Sequence, residues 1–256
     1  MIFLFDFDGV LIDSAWEAAL SAYNAVTEQQ LLELAQMPKS CMDLFQRNKF
    51  LFHNPSSLYL LMQWCVENYQ SKPDYQLTES EFHSYIEQEE GKRPLAELGA
   101  YFYSVRNRFM ESSREKWLAI NYPYQPLWNF LKEENKTKFY ILTAKNRKAV
   151  LELTKHYGME IGPEDIYSGD GNKSKISNFK EILSRFGEKH FFFIDDHLVN
   201  LQDIDSSFNS EARKLVDLAI CNWGYASAQE LETAEKSGFK QYSQQELINL
   251  LKNFSR

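Results

Sequence analysis

The chain has 256 residues and a mass of 30.1 kDa, enough for one large domain or two modest ones with a full core. Its formal net charge of -8 and pI near 5.3 argue against nucleic acid as the main partner. A phosphate-bearing ligand stays admissible, because a local site of metal, lysine and backbone amides overrides a repulsive overall field. The cysteines Cys41, Cys65 and Cys221 are far apart and form no CxxC pair, which points to reduced, buried thiols rather than a disulfide frame or a zinc site. The apolar start carries Asp6, Asp8 and Asp13 and lacks a basic lead-in, and no apolar run is long enough to cross a bilayer. The expectation is a soluble cytoplasmic protein with neither a membrane nor a nucleic-acid partner.

In chain order, residues 2–6 read as a buried strand, a short Ile/Phe/Leu run that stops at Gly9. Two aspartates one residue apart, Asp6 and Asp8, close it. A carboxylate in so apolar a run is costly to bury unless a cation, hydrogen bonds or chemistry compensate it. From Ala15 to Ile120 glycine is scarce and apolar residues recur at helical spacing, punctuated by Pro38, Pro55, Pro73 and Pro94. After the turn at 121–126 strands and helices alternate. Residues 139–143 form a strand, 147–156 a helix, 166–168 a short strand, 176–186 a helix, 191–195 a strand, 215–221 a strand, and 244–254 a closing helix. The stretch from Asn200 to Leu215 reads as an extra loop near the site.

Such alternation implies a parallel sheet covered on both faces, with ligands bound beyond the carboxyl ends of its strands. The fold class is therefore α/β, a Rossmann-like parallel sheet with an inserted all-α domain. Residues 1–14 and 121–256 form the core, and 15–120 the helical insert. Asp6, Thr143 and Asp195 stand at strand ends and should converge. Asp6 is placed to attack as a carboxylate, and Asp8 lies on the same face two residues on. The bend at Gly9 turns Asp8 toward a leaving group. Thr143 offers a hydroxyl. Lys175 supplies positive charge from the first turn of a helix, with Lys173 in reserve. The Asp195-Asp196 pair offers oxygen ligands that suit Mg²⁺. Together these are the parts of phosphoryl transfer: a nucleophile, a proton donor, and positive charge around the phosphoryl oxygens.

Asp-Phe-Asp-Gly-Val (6–10), Ile-Leu-Thr (141–143), Lys175 and Ile-Asp-Asp (194–196) resemble the four ordered motifs of the haloacid dehalogenase superfamily. The helical insert is similar to that superfamily's C1-type cap. Tyr122-Pro123 and Trp223-Gly-Tyr225 resemble its phosphoglycolate-phosphatase-like branch. The resemblance implies a Mg²⁺-dependent phosphatase acting on a small-molecule phosphate ester. Asp6 would form an aspartyl-phosphate, and Asp8 would protonate the leaving group and then activate water. Thr143 and Lys175 would bind the phosphoryl group. Asp6, the Asp8 backbone carbonyl and Asp195 would ligate the metal, with Asp196 as a further ligand or a support. The context Lys-Ser-Lys-Ile departs from the branch's usual Gly-Lys-Pro, and Asn200 stands where another acid is common. Asp8 disfavours dehalogenation, which needs no such acid. A phosphomutase and a non-catalytic phospho-ligand-binding protein remain as alternatives. In the insert, Tyr101, Phe102, Tyr103 and Phe109 read as core, and Arg106 and Arg108 as lesser candidates to meet a substrate anion.

Overall fold

A computed structural model of the chain describes residues 1–134, 137–187 and 189–254. Two compact units divide it, Met1–Asp13 with Tyr122–Arg256, and Ser14–Asn121.

The first unit is an α/β layer structure. Its short strands are Ile2–Phe5 (β1), Ile12–Asp13 (β2), Tyr122–Pro123 (β3), Phe139–Leu142 (β4), Ile166–Tyr167 (β5), Phe191–Asp195 (β6), Val216–Cys221 (β7) and Lys240–Tyr242 (β8). Six of them make one parallel sheet in the order β5-β4-β1-β6-β7-β8. The chain starts at the centre in β1, builds outward through β4 and β5, then crosses back to β6 on the other flank. The strand order thus reverses at β1, the place where a parallel sheet opens a crevice beyond its carboxyl ends.

Burial on both faces explains why β1, β4 and β6 carry nearly unbroken apolar runs. Leu4, Phe191 and Phe193 face the helices Lys175–Phe186 and Leu198–Phe208, whose Phe179, Ile182, Leu201 and Ile204 complete one core layer. On the other face Phe3 meets Phe254 of the closing helix Gln244–Phe254, ring centroids 5.3 Å apart.

The residues expected as an extra loop instead form the helix Leu198–Phe208, followed by a tight Ser210–Arg213 bridge. Leu198, Leu201 and Ile204 are buried at helical spacing, and that burial outweighs the polar Asp203, Asp205, Ser206 and Ser207 between and after them. Further elements lie outside the sequence reading, among them the helix Ala228–Lys236 and the edge strand β8. Another is the antiparallel pairing of β2 with β3, Ile12 opposite Pro123 and Asp13 opposite Tyr122.

The second unit is helical. Ala15–Thr27, Pro55–Asn68 and Leu95–Ser112 pack on one another, with Lys39–Asn48, Glu79–Glu90 and Arg114–Leu118 around them. Phe102 and Phe109 are buried, whereas Tyr101 and Tyr103 are half-buried. Arg106 lies inside this unit. Its guanidinium donates to both carboxylate oxygens of the fully buried Glu17, Nε to Oε1 at 3.0 Å, and Ser21 Oγ donates to Oε1 at 2.7 Å. A guanidinium so engaged holds a buried carboxylate that would otherwise be uncompensated. Arg106 is therefore committed to the interior of the unit, and Arg108 is exposed. No helix among the described residues is long and apolar enough to cross a membrane.

Candidate active site

The site lies at the carboxyl end of the sheet, where β1 and β6 run side by side. Their register pairs Phe5 with Ile194. Asp6 extends the ladder, its N–H donating to the Ile194 carbonyl at 3.0 Å. Adjacent strands therefore deliver Asp6 and the Asp195-Asp196 pair to one place. One carboxylate oxygen from each of the three falls within 4.8 Å of the others, and all three side chains are buried.

Lys175 enters from the first turn of its helix, which Ser174 caps by accepting the Ser177 N–H. Its Nζ lies 3.0 Å from Asp6 Oδ2 and 2.5 Å from Asp195 Oδ2. Lys173 points elsewhere and pairs with Glu181 at 2.5 Å, both partners well exposed. Burial alone would lower the Lys175 pKa, but the charges of Asp195 and Asp6 overcome it and hold the ammonium's pKa well above its ordinary value. Burial pushes the Asp6 carboxyl up from 3.8 to about 7, with Lys175 opposing and Asp195 and Asp8 adding to the rise. Asp196 is also raised well above 3.8, by burial first and then by Asp195 and Asp6.

The two members of the acidic pair are not equivalent. Both oxygens of Asp195 are engaged: Oδ1 accepts the His197 N–H and the Asn200 Nδ2–H, each at 3.0 Å, and Oδ2 accepts Lys175. Asn200 thus holds Asp195 in place through its side-chain amide. Asp196 Oδ2 accepts the Tyr225 N–H at 2.9 Å, while its Oδ1 is buried with no hydrogen-bond partner among the described residues. Asp6 Oδ1 is in the same condition.

Two glycines press on Asp196. A Cβ at Gly9 would sit 1.9 Å from Asp196 Oδ2, and Gly9 holds a φ of +78°. A Cβ at Gly224 would sit 2.4 Å from the Asp196 Cβ and 2.7 Å from the Gly9 carbonyl oxygen. Trp223 Nε1–H donates to the Val10 carbonyl at 3.1 Å, tying the loop after β7 to the bend after β1. The role of Trp223-Gly-Tyr225 is therefore to brace Gly9 and Asp196.

Asp8 is partly open, its side chain 27% exposed against 8% for Asp6. Its Oδ1 accepts a hydrogen bond from Lys145 Nζ at 2.8 Å. Sequence reading missed Lys145 altogether. The Thr-Ala-Lys-Asn run at 143–146 was its only local trace. Thr143, just past β4, is buried; its Oγ1 accepts the Lys145 N–H at 3.1 Å, and it makes no hydrogen bond to the acids.

Oxygen donors in a buried cluster suit a hard divalent cation such as Mg²⁺. The two orphaned buried oxygens, Asp6 Oδ1 and Asp196 Oδ1, are the specific observation that fits one, since unpaired buried acceptors are expensive. Charge agrees. Asp6, Asp8, Asp195 and Asp196 against Lys145 and Lys175 leave two negative charges for one divalent ion to balance when all are ionised.

No protein-family model matches the chain, and no curated protein sequence matches it. Solved structures do. A predicted phosphoglycolate phosphatase from Haemophilus somnus 129pt superposes with a TM-score of 0.58 at 16% identity, over 97% of this chain and 96% of that one. A conserved haloacid dehalogenase-like protein of Agrobacterium tumefaciens gives 0.54 at 14% identity, over 100% and 99% of the two chains. Protein Tyrosine Kinase A of Mycobacterium tuberculosis gives 0.55 at 14% identity, over 98% and 97%. One architecture thus carries differently described reactions, and identity this low speaks for architecture alone. On that measure the chain has the haloacid dehalogenase-like fold, a parallel-sheet core with a helical insertion.

Proposed function

We propose that the chain is a divalent-cation-dependent phosphatase acting on a small-molecule phosphate ester through an aspartyl-phosphate on Asp6. The observation that carries this reading is the setting of Asp6. It is a buried strand-end carboxylate against Lys175, with a second acid, Asp8, two residues on and partly open to solvent. Asp6 Oδ1 or Oδ2 would form the new bond to phosphorus as the bond to the leaving oxygen breaks. Asp8 would give that oxygen its proton and later take one from water, a task that needs the exposure Asp6 lacks. Thr143 Oγ and Lys175 Nζ would hold phosphoryl oxygens. Asp6 and Asp196 would be the direct carboxylate ligands to Mg²⁺, joined by the Asp8 backbone carbonyl. Asp195, with both oxygens spent, would serve chiefly to aim Lys175. When bound, the cation would supply charge stabilisation at the phosphoryl oxygens. The presence of Asp8 favours phosphate over carbon–halogen chemistry.

Screening phosphorylated metabolites and an aryl phosphate with Mg²⁺ tests the reading. Inorganic phosphate is expected from at least one ester, and metabolite binding with no phosphate release across the panel would contradict it.

Acid–base linkage gives a second test. Between 3.8 and about 7 the folded, metal-free chain keeps a proton on Asp6 that the unfolded chain has released. Its stability therefore falls as pH rises through that window. A cation binds the ionised carboxylates, so Mg²⁺ affinity should rise across the same window. The thermal midpoint gained from Mg²⁺ is expected to be larger near pH 8 than near pH 5.5. A gain that shrinks with rising pH would count against Asp6 as a ligand.

A further inference from the structure

Lys145 is a lysine with no exposed side chain, standing at the mouth of a site that already has Lys175. Burying an ammonium is costly unless it is paired, and Lys145 meets Asp8 Oδ1 at 2.8 Å. Its backbone is equally constrained. The Lys145 N–H donates to Thr143 Oγ1, and its carbonyl accepts the Gly169 N–H at 3.2 Å. Gly169 packs so closely that a Cβ there would lie 2.1 Å from the Ala144 carbonyl oxygen. Just beyond, Asn146 caps the helix Arg147–His156 by accepting the Ala149 N–H at 2.8 Å. Both ends of the loop are thus tied down, and the lysine stem has little room to swing.

The partner it reaches is the most exposed of the four site acids. Asp6, Asp195 and Asp196 are held by burial, Lys175 and backbone donors. Asp8 follows the end of β1, ahead of a glycine at positive φ, where the strand no longer fixes its direction. An acid that must protonate a departing oxygen has to stand within hydrogen-bond reach of it in the transition state.

We propose that Lys145 is a positioning residue for the proton-transfer step, its ammonium fixing the carboxyl group of Asp8 beside the leaving oxygen. This rests on the phosphatase reading above. As the Asp6–phosphorus bond forms and the bond to the leaving oxygen breaks, the proton on Asp8 passes to that oxygen. Lys145 neither gives nor takes a proton. Thr143, Lys145 and Gly169 would then form one unit that couples phosphoryl binding to placement of the acid.

The test compares Lys145→Met, Lys145→Arg and wild type on two esters with Mg²⁺ present. An alkyl phosphate needs its leaving oxygen protonated, whereas 2,4-dinitrophenyl phosphate leaves without help. General-acid placement is worth on the order of 10²–10⁴-fold. For Lys145→Met the loss in kcat should be at least about tenfold greater on the alkyl ester than on the aryl ester. Lys145→Arg should recover part of the difference. In an Asp8→Asn background, Lys145→Met should add little further loss on the alkyl ester. Equal losses on both esters, or a full additional loss without Asp8, would overturn the positioning role while leaving the phosphatase reading intact. A wild-type protein that releases phosphate from neither these esters nor any member of the metabolite panel would overturn the phosphatase reading and the role of Lys145 with it.

Discussion

Asp6→Asn is expected to abolish turnover and at the same time to stabilise the metal-free protein at neutral pH and above. The amide has no charge with which to attack phosphorus, and loss of a covalent nucleophile typically costs about 10⁴-fold or more in kcat. Stability moves the other way. Burial raises the Asp6 carboxyl to about 7, so at pH 8 the folded chain must carry a buried charge that it resists. An amide of the same shape removes that cost and can still accept from Lys175, which keeps Asp195 as its partner. Each kcal/mol recovered should raise the thermal midpoint by roughly 2–4 °C. Phosphate-release kinetics and a thermal melt in chelator at pH 8 check both halves. A variant that loses activity and also melts earlier would place Asp6 in a structural role.

Gly9→Ala should have the next largest effect, through two separable costs. The first is backbone. A φ of +78° disfavours any residue with a Cβ, by roughly 1–2 kcal/mol. The second is collision, because the added carbon would lie 1.9 Å from Asp196 Oδ2 and 2.4 Å from its Cγ. Asp196 cannot turn aside without giving up the Tyr225 N–H, and Gly224 closes the other side. Gly238 gives the matched control, with a φ of +80° and nothing within 4 Å of its would-be Cβ. Gly238→Ala should cost the backbone term alone. Gly9→Ala should lose more stability and weaken Mg²⁺ binding at least about tenfold, about 1.4 kcal/mol. Isothermal titration with Mg²⁺ and chemical denaturation separate the two. Equal behaviour of the two variants would mean that Asp196 is free to move and is not a ligand.

The features legible in the sequence share a cause. Asp6, Lys175 and the Asp195-Asp196 pair sit at the ends of short apolar strands or the start of an amphipathic helix, so local pattern places them. Local pattern also finds β1, β4 and β6, because both faces of the sheet are covered. What escaped depends on partners distant in the chain. Lys145 meets Asp8 across 137 residues, and nothing around it marks a buried lysine. The β2–β3 pairing joins Ile12–Asp13 to Tyr122–Pro123, two residues a side, too short for any alternation to register. The different conditions of Asp195 and Asp196 depend on which donors reach them, and those come from Lys175, Asn200 and Tyr225 on separate elements. The helix Leu198–Phe208 is a different case. Its apolar spacing is present in the sequence, but the stretch from Asn200 to Leu215 is longer than a connection between two strands of this kind is expected to be, and length alone reads as a loop.

The most direct measurement is chemical trapping of the enzyme during turnover. A reaction with an active phosphate ester and Mg²⁺ is quenched and treated with borohydride, which reduces an acyl phosphate to an alcohol, and the digested protein is mapped by mass spectrometry. An aspartyl-phosphate on Asp6 predicts conversion of residue 6 to homoserine, dependent on substrate and absent in Asp6→Asn. Steady phosphate release with residue 6 unmodified and another residue labelled would contradict it.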